Sequence, residues 1–303
     1  MYRHVRDRDQ AVSFARTKSA SETDGLTRVL DVGVQAFFLD GARGRAFCLL
    51  HEPDGATAPR AALLYLHPFA EEMNRSRRMA ALQSRALARA GYAVLQLDLH
   101  GCGDSDGEFG DATWVQWQND AGLALDWLKH RCVAPVWVWG LRAGCLLAAQ
   151  LVTRRQDVAG LLLWQPQISG KQALRQFLRI KVAEYMLAGE RGAGADDLRG
   201  RLARGESVEI AGYLLAPGLA MAMEEVELVV LPGSMRIECL EITAGAGDAL
   251  TPALGARVAE WSAAGHTVRA RTVRGAPFWQ MAEPEEVPLL LDATVLAMDE
   301  TDI

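Results

Sequence analysis

A short turn at residues 140–144 combines residue types at a spacing suited to chemistry. It reads Gly-Leu-Arg-Ala-Gly and lies between a β-branched and aromatic run at 136–139 and a stretch of Leu, Ala and Gln, which predicts a strand, a sharp turn and a helix. In the Gly-x-Ser-x-Gly form of this turn, the serine is a nucleophile. Here Arg142 stands at the centre, and a guanidinium has no nucleophilic atom. The turn therefore predicts retained geometry without the usual chemistry, with Arg142, Leu141 and Ala143 as candidates for ligand contact.

The charge of Arg142 predicts an anion beside it. A cation in the first turn of a helix is disfavoured by about 0.3–1 kcal/mol, because the helix dipole is positive there. One interpretation is an internal ion pair with Asp248, Glu71 or Glu72. The other is a ligand carboxylate or phosphate, held by the guanidinium and the helix N–H groups. The two are not exclusive.

A second polar stretch follows the strand predicted over 61–66. His67, Glu71, Glu72 and Asn74 are predicted to lie on one loop, at the same edge of a parallel sheet as the 140–144 turn. These four residues are candidates for substrate contact. The alternatives are solvated loop charges and, for His67, a structural role.

Other groups were weighed as nucleophiles. Cys102 and Ser105 lie in the loop after the strand predicted over 92–99, but only a lowered pKa activates a cysteine thiol. Cys145 is predicted to point into the core. Trp114 and Trp117 are at helical spacing, which favours core packing over stacking against a sugar.

Composition limits the classes of function. The chain has 303 residues, is half hydrophobic, has 23% charged residues and carries a net charge of −6, which is ordinary for a globular protein and argues against a nucleic-acid partner. Five scattered cysteines without a Cys-x-x-Cys pair predict a reducing compartment and no zinc site. No apolar run is long enough to span a membrane. We expect a cytoplasmic protein without a metal or cofactor.

Alternation of apolar strands with helices predicts a doubly wound α/β domain with a mostly parallel sheet and helices on both faces. A hairpin is predicted at 35–51, and a helix is predicted over 76–90. The stretch 169–225 breaks the alternation and is predicted to be a helical lid. The expected organisation is a flexible extension at 1–28, a core at 29–168 and 226–303, and a lid at 169–225.

This order resembles the α/β-hydrolase fold over residues 34–298. The segments LYLHPFAEEMNRSRRM, LDLHGCGDSDGEF, WGLRAG and GAPFWQ are similar to the second α/β-hydrolase-like protein of the bacterial exosortase A system. That family is associated with protein sorting and exopolysaccharide production. The resemblance implies an acid at Asp248, which is a candidate catalytic residue or a helix cap, and an oxyanion loop beginning at His67. It also implies a histidine after the last strand, where the chain has none, because His266 precedes that strand.

Two functions follow from this sequence. The first is a divergent hydrolase or acyl transferase that acts on an envelope-polymer precursor and uses Asp248. The second is an inactive pseudo-hydrolase that binds an anionic small molecule, or a protein partner through the apolar stretch 213–223. An incomplete triad leaves only about 10³–10⁴-fold catalysis over water, which is poor for an esterase.

Overall fold

The centre of the protein is an eight-stranded sheet. The structure is a computed structural model that describes residues 33–53, 58–155, 157–189, 192, 194–229, 231–245 and 249–300. The sheet order is β1-β2-β4-β3-β5-β6-β9-β10, in which β1–β2 and β2–β4 are antiparallel and the other pairs are parallel. Its strands are β1 Gly33–Gly41, β2 Gly44–Glu52, β3 Ala62–Leu66, β4 Ala93–Leu97, β5 Val136–Leu141, β6 Gly160–Trp164, β9 Arg236–Thr243 and β10 Thr267–Arg274.

Helices cover both faces of this sheet. In β3, Leu64 and Leu66 lie in one hydrophobic cluster and Leu63 and Tyr65 in the other, because successive strand residues point to opposite faces. The first face packs against α2, α3 and α7, and the second against α1 and α8. The helices are α1 Glu71–Arg89, α2 Trp114–Arg131, α3 Gly144–Arg154, α7 Pro252–Ala263 and α8 Pro288–Asp299. The predicted α/β class with helices on both faces is confirmed.

A helical segment interrupts the alternation between β6 and β9. It contains α4 Gly170–Leu187, α5 Ala195–Ala203, a small hairpin of β7 Val208–Ile210 and β8 Tyr213–Leu215, and α6 Pro217–Glu224. Helix α4 contacts α5 and α6, and buried Leu174, Phe177 and Leu178 of α4 join the main core. The division into core and lid stays a prediction. The predicted extension at 1–28 lies outside the described residues.

One predicted boundary is wrong, and it affects the site. Helix α1 begins at Glu71 rather than Ser76, so Glu71, Glu72 and Asn74 lie on its first turns and not on a loop. Ala70 makes the sharp turn into this helix, with φ 49° and ψ −124°. Acidic side chains in a first helical turn are stabilised by the positive end of the helix dipole. This pairing of charge with the helix end favours the earlier start.

Candidate functional site

Arg142 lies at the tight turn between β5 and α3, where the sequence predicted it. Its backbone has φ 55°, a left-handed conformation that is uncommon for a residue with a side chain. The turn is held by a hydrogen bond from the Arg142 N–H to the Trp164 carbonyl, 3.0 Å long. A Cβ at Gly144 would lie 2.2 Å from the Leu66 carbonyl oxygen. The close approach of β3 to the turn therefore requires glycine at position 144.

Glu72 is the anion beside Arg142. Arg142 Nη2 lies 3.1 Å from Glu72 Oε1, and Arg142 Nε lies 3.3 Å from both carboxylate oxygens. Both side chains are largely buried, with 9% of the arginine and 13% of the glutamate exposed. An internal ion pair thus occupies the position from which a nucleophile would act.

Two further side chains enclose the guanidinium, and the sequence did not indicate either. Arg142 Nη2 donates a 3.0 Å hydrogen bond to Gln176 Oε1 on α4. The guanidinium carbon lies 5.2 Å from the ring centroid of Trp279, within the range of a cation–π interaction. Trp279 lies in the loop after β10, where a catalytic histidine was expected, so its position was a usable signal. Gln176 is exposed on the surface of α4, and no local pattern indicates it.

Burial controls the acidity of the two glutamates. Desolvation raises the pKa of Glu72, and the neighbouring Arg142 partly offsets this rise. Desolvation also raises the pKa of Glu71 to about 7, with the charge of Glu72 as a further cause. Glu71 Oε2 is buried and has no hydrogen-bond partner among the described residues. The Glu71 carboxyl group therefore changes between its protonated and ionised forms near neutral pH.

The two glutamates line an open cavity of about 320 Å³. Gln167, with 9% exposure, lies at its buried end, and exposed residues including Arg75 and Arg179 lie at its open side. Arg142 reaches the cavity only through Glu72 and Gln176, which are both in the lining. The lining is completed by Phe69, Ala173, Phe177, Ile180 and Gln280.

The other side of the turn is almost filled. Beside Ala143 and Gly144 the remaining space is only about 10 Å³, and Phe69, Trp114 and Trp117 are in its wall. That volume is about the space of one water molecule. Both tryptophans are buried, in agreement with their predicted core packing. An acyl chain has no room on this side.

His67 has both ring nitrogens in hydrogen bonds. Nδ1 donates to the Pro68 carbonyl at 2.7 Å, and Nε2 accepts from the Leu99 N–H at 3.3 Å. Burial lowers the pKa of His67, which favours this neutral form. The ring connects the loops that follow β3 and β4. Its predicted contact with a substrate stays a prediction.

The remaining site candidates are dispersed. Asn74 donates a 3.0 Å hydrogen bond to the Tyr213 hydroxyl, and Leu141 and Ala143 are buried at the turn. Asp248 lies outside the described residues. His266 precedes β10 and binds the Met235 N–H and the Leu231 carbonyl.

Alternative nucleophiles are not activated. Burial raises the pKa of Cys102 and of Cys145. The Ser105 hydroxyl donates to the Asp98 carbonyl and accepts from the Phe47 N–H, so it fixes a loop. In the described part of the chain, no cluster of three or more metal-binding side chains occurs. None of its helices has the length and apolar character needed to span a bilayer.

Part of the chain matches a known family and a curated protein. Residues 57–191 match the Hydrolase_4 family, described as serine aminopeptidase, S33. An uncharacterized protein of Rickettsia prowazekii (strain Madrid E) is 30% identical over 134 residues, which are 44% of this chain and 55% of that protein. The chain therefore spans about half the length of the curated relative that it matches.

Solved structures match over most of the chain. Est1E from Butyrivibrio proteoclasticus with bound ferulic acid has a TM-score of 0.67 at 16% identity, covering 87% of this chain and 98% of that one. A serine hydrolase homologue from Coxiella burnetii has a TM-score of 0.54 at 14% identity, with 90% and 99% covered. A lidless serine hydrolase from Xanthomonas campestris has 0.53 at 12% identity, with 92% and 100% covered. This protein has the α/β-hydrolase fold.

Proposed function

We propose that this chain is a pseudo-hydrolase, which binds a small polar ligand in the cavity beside Arg142 and Glu72 and does not hydrolyse esters by a serine mechanism. The observation that carries the proposal is the Arg142–Glu72 ion pair at the nucleophile position. A guanidinium cannot attack a carbonyl carbon. The filled space beside Ala143 also leaves no room for an acyl group.

The role of Arg142 in this proposal is to position the cavity wall. Its donors hold Glu72 from α1 and Gln176 from α4, and both side chains line the cavity. Removal of the guanidinium should therefore loosen both helices at the ligand site. An unchanged thermal stability and an unchanged ligand affinity in Arg142→Ala would contradict this role.

The wider setting of the proposal rests on the sequence resemblance. The four segments similar to the exosortase-associated hydrolase-like family support a cytoplasmic role in protein sorting or exopolysaccharide production. The ligand would then be an envelope-polymer precursor or a related anionic small molecule. Neither the matched family nor the solved structures bear on this setting.

Hydrolysis of short- and medium-chain nitrophenyl esters tests the absence of serine-type chemistry. We expect no turnover by the wild type above that of Arg142→Ala and Asp248→Asn. The Asp248→Asn arm also tests the catalytic acid predicted at that position. Turnover in the wild type that Asp248→Asn abolishes would refute the pseudo-hydrolase and support the divergent enzyme.

One observation favours the second candidate, a divergent hydrolase or acyl transferase. Glu71 lines the cavity with a pKa of about 7, and general acids and bases work best with a pKa near the working pH. Such an enzyme would use Glu71 to accept a proton from water or from a ligand hydroxyl. Wild-type turnover that Glu71→Gln abolishes and Asp248→Asn leaves intact would support this enzyme and distinguish it from one that uses a triad acid.

A further inference from the structure

The side-chain amides of Gln176 and Gln167 form one hydrogen-bond network with Arg142 at the cavity wall. Gln176 Oε1 accepts from Arg142 Nη2, and a guanidinium can only donate, so the orientation of the Gln176 amide is determined. Gln167 Nε2 donates to that same oxygen at 3.1 Å. The side-chain carbonyl oxygen of Gln167 is therefore the atom of this network that receives no hydrogen bond.

That carbonyl oxygen is a buried acceptor without a donor. Gln167 is 9% exposed, lines the cavity, and its Oε1 has no partner among the described residues. Glu71 Oε2, in the wall of the same cavity, is also buried without a hydrogen-bond partner among the described residues. A buried polar atom without a partner costs about 1–3 kcal/mol, and a ligand that donates hydrogen bonds to both atoms would recover this cost.

The open side of the cavity has the opposite character. Arg75 and Arg179 line it and are exposed, and neither forms an ion pair with a described residue. Arg75 makes one long contact of 3.5 Å with the Gln280 carbonyl. The positive charge of Arg75 also acts on the Glu71 and Glu72 carboxyl groups and opposes the rise in their pKa. The two exposed guanidinium groups favour a phosphate or carboxylate of the ligand at this side.

Size and wall chemistry restrict the ligand further. A volume of about 320 Å³ is at the low end of the ~300–1,000 Å³ range of small-molecule sites. Phe69, Phe177 and Ile180 provide an apolar wall, against which the C–H face of a ring can pack. We propose that the cavity binds a compound of the size of one sugar, with its hydroxyl groups at Gln167 and Glu71 and one anionic group at Arg75 and Arg179.

This assignment rests on the proposed function, because it names the ligand class of the same cavity. It distinguishes a polyhydroxylated anion from two other ligand classes. A fatty acid would lack hydrogen-bond donors for Gln167 and Glu71, and a neutral sugar would carry no anionic group for the two arginines. The anionic group is a phosphate or a carboxylate in this proposal. The choice of probes distinguishes these two.

Calorimetric titration of the full chain at low salt tests the proposal. The probes are hexose 6-phosphates, hexuronates, the parent hexoses, inorganic phosphate and hexanoate. We expect a hexose phosphate or hexuronate to bind at least about tenfold more tightly than the parent hexose, inorganic phosphate or hexanoate. The preferred anionic probe identifies phosphate or carboxylate as the anchoring group.

Variants assign the binding to this cavity. Arg179→Gln and Arg75→Gln change exposed side chains and should each weaken the anionic probe about tenfold, while affinity for the parent hexose stays unchanged. Gln167→Met should weaken both. The matched control is Arg43→Gln, at an exposed position of the turn between β1 and β2, and it should leave all affinities unchanged.

Three results would overturn the assignment: equal affinity for the hexose and its phosphate, no effect of either cavity arginine, or no binding by any anionic sugar at millimolar concentration. These results differ from failure of the pseudo-hydrolase proposal, which fails through ester turnover. A chain that neither hydrolyses esters nor binds these probes keeps the first proposal and loses the second.

Discussion

The ion pair at the turn predicts that loss of Glu72 and loss of Arg142 destabilise the protein to different extents. We expect Glu72→Gln to destabilise the protein more than Arg142→Met does. A carboxylate that loses its partner can take up a proton and become neutral, whereas a guanidinium keeps its charge. Glu72→Gln therefore leaves a buried cation, and Arg142→Met leaves a group that can neutralise itself.

The magnitude follows from the burial of the pair. Breaking a buried pair by removing one partner costs about 3–5 kcal/mol, and the roughly one-tenth exposure of both side chains favours the lower end. We expect Glu72→Gln to cost about 3 kcal/mol, a fall in Tm of about 6 °C for a chain of this size. At pH ~5.5, Arg142→Met should cost about 1–2 kcal/mol, since it loses hydrogen bonds while the protonated Glu72 leaves no buried charge.

The two variants should also differ in how their stability depends on pH. Burial already raises the pKa of Glu72 above its ordinary value of 4.5, and Arg142→Met removes the charge that offsets this rise. A carboxyl group whose pKa is raised on folding stabilises the folded state at low pH, and this stability is lost as pH rises through the folded pKa. The loss in Arg142→Met should therefore be smaller at pH ~5.5 than at pH ~8, while Glu72→Gln lacks this dependence.

Urea denaturation of both variants at the two pH values measures the asymmetry. The matched control is Glu206→Gln, which removes an exposed partner of Arg201 and Arg204 and should leave the stability nearly unchanged. A loss in Arg142→Met equal to or greater than that in Glu72→Gln at pH ~5.5 would refute the reasoning. It would mean that packing of the arginine side chain, and not its charge, dominates.

Three further predictions concern the surroundings of this pair. Glu71→Gln should raise stability at pH ~8 by about 1 kcal/mol and change it little at pH ~5, because the raised pKa of Glu71 makes its ionisation above pH ~7 unfavourable for folding; a thermal melt at each pH checks this. Gly144→Ala should lower Tm by several degrees, because its Cβ would lie 2.2 Å from the Leu66 carbonyl oxygen, whereas Gly218→Ala, with no atom within 4 Å, should not. Cys102 is buried with a raised pKa, so a thiol reagent should label it in urea and not in buffer; rapid labelling of the native protein would show that the loop opens.

The sequence was sufficient for the framework of the fold. Strand β6 has the predicted bounds, 160–164, and the hairpin at 35–51 is present as β1 and β2. Apolar runs alternating with helices predict these elements, because a sheet covered on both faces needs continuous apolar strands. The same local pattern placed the turn around Arg142 between a strand and a helix.

Local signals were less reliable at the start of α1. The polar stretch after β3 read as a loop because Pro68 and several charges interrupt the apolar pattern. Acidic residues in a first helical turn are also a helix signal, and this signal indicated the correct start at Glu71. The error mattered because a helix holds Glu72 against Arg142 more rigidly than a loop would.

Tertiary structure decided which groups meet. The sequence predicted an anion for Arg142 and left Asp248, Glu71, Glu72 and a ligand as alternatives, since charge balance specifies that a partner exists but not its position. The positions of α1, α4 and the loop after β10 relative to β5 bring Glu72, Gln176 and Trp279 to the guanidinium. The partners in these contacts are 34 to 137 positions apart along the chain. The residue periodicity of a single helix or strand does not predict contacts between residues so far apart.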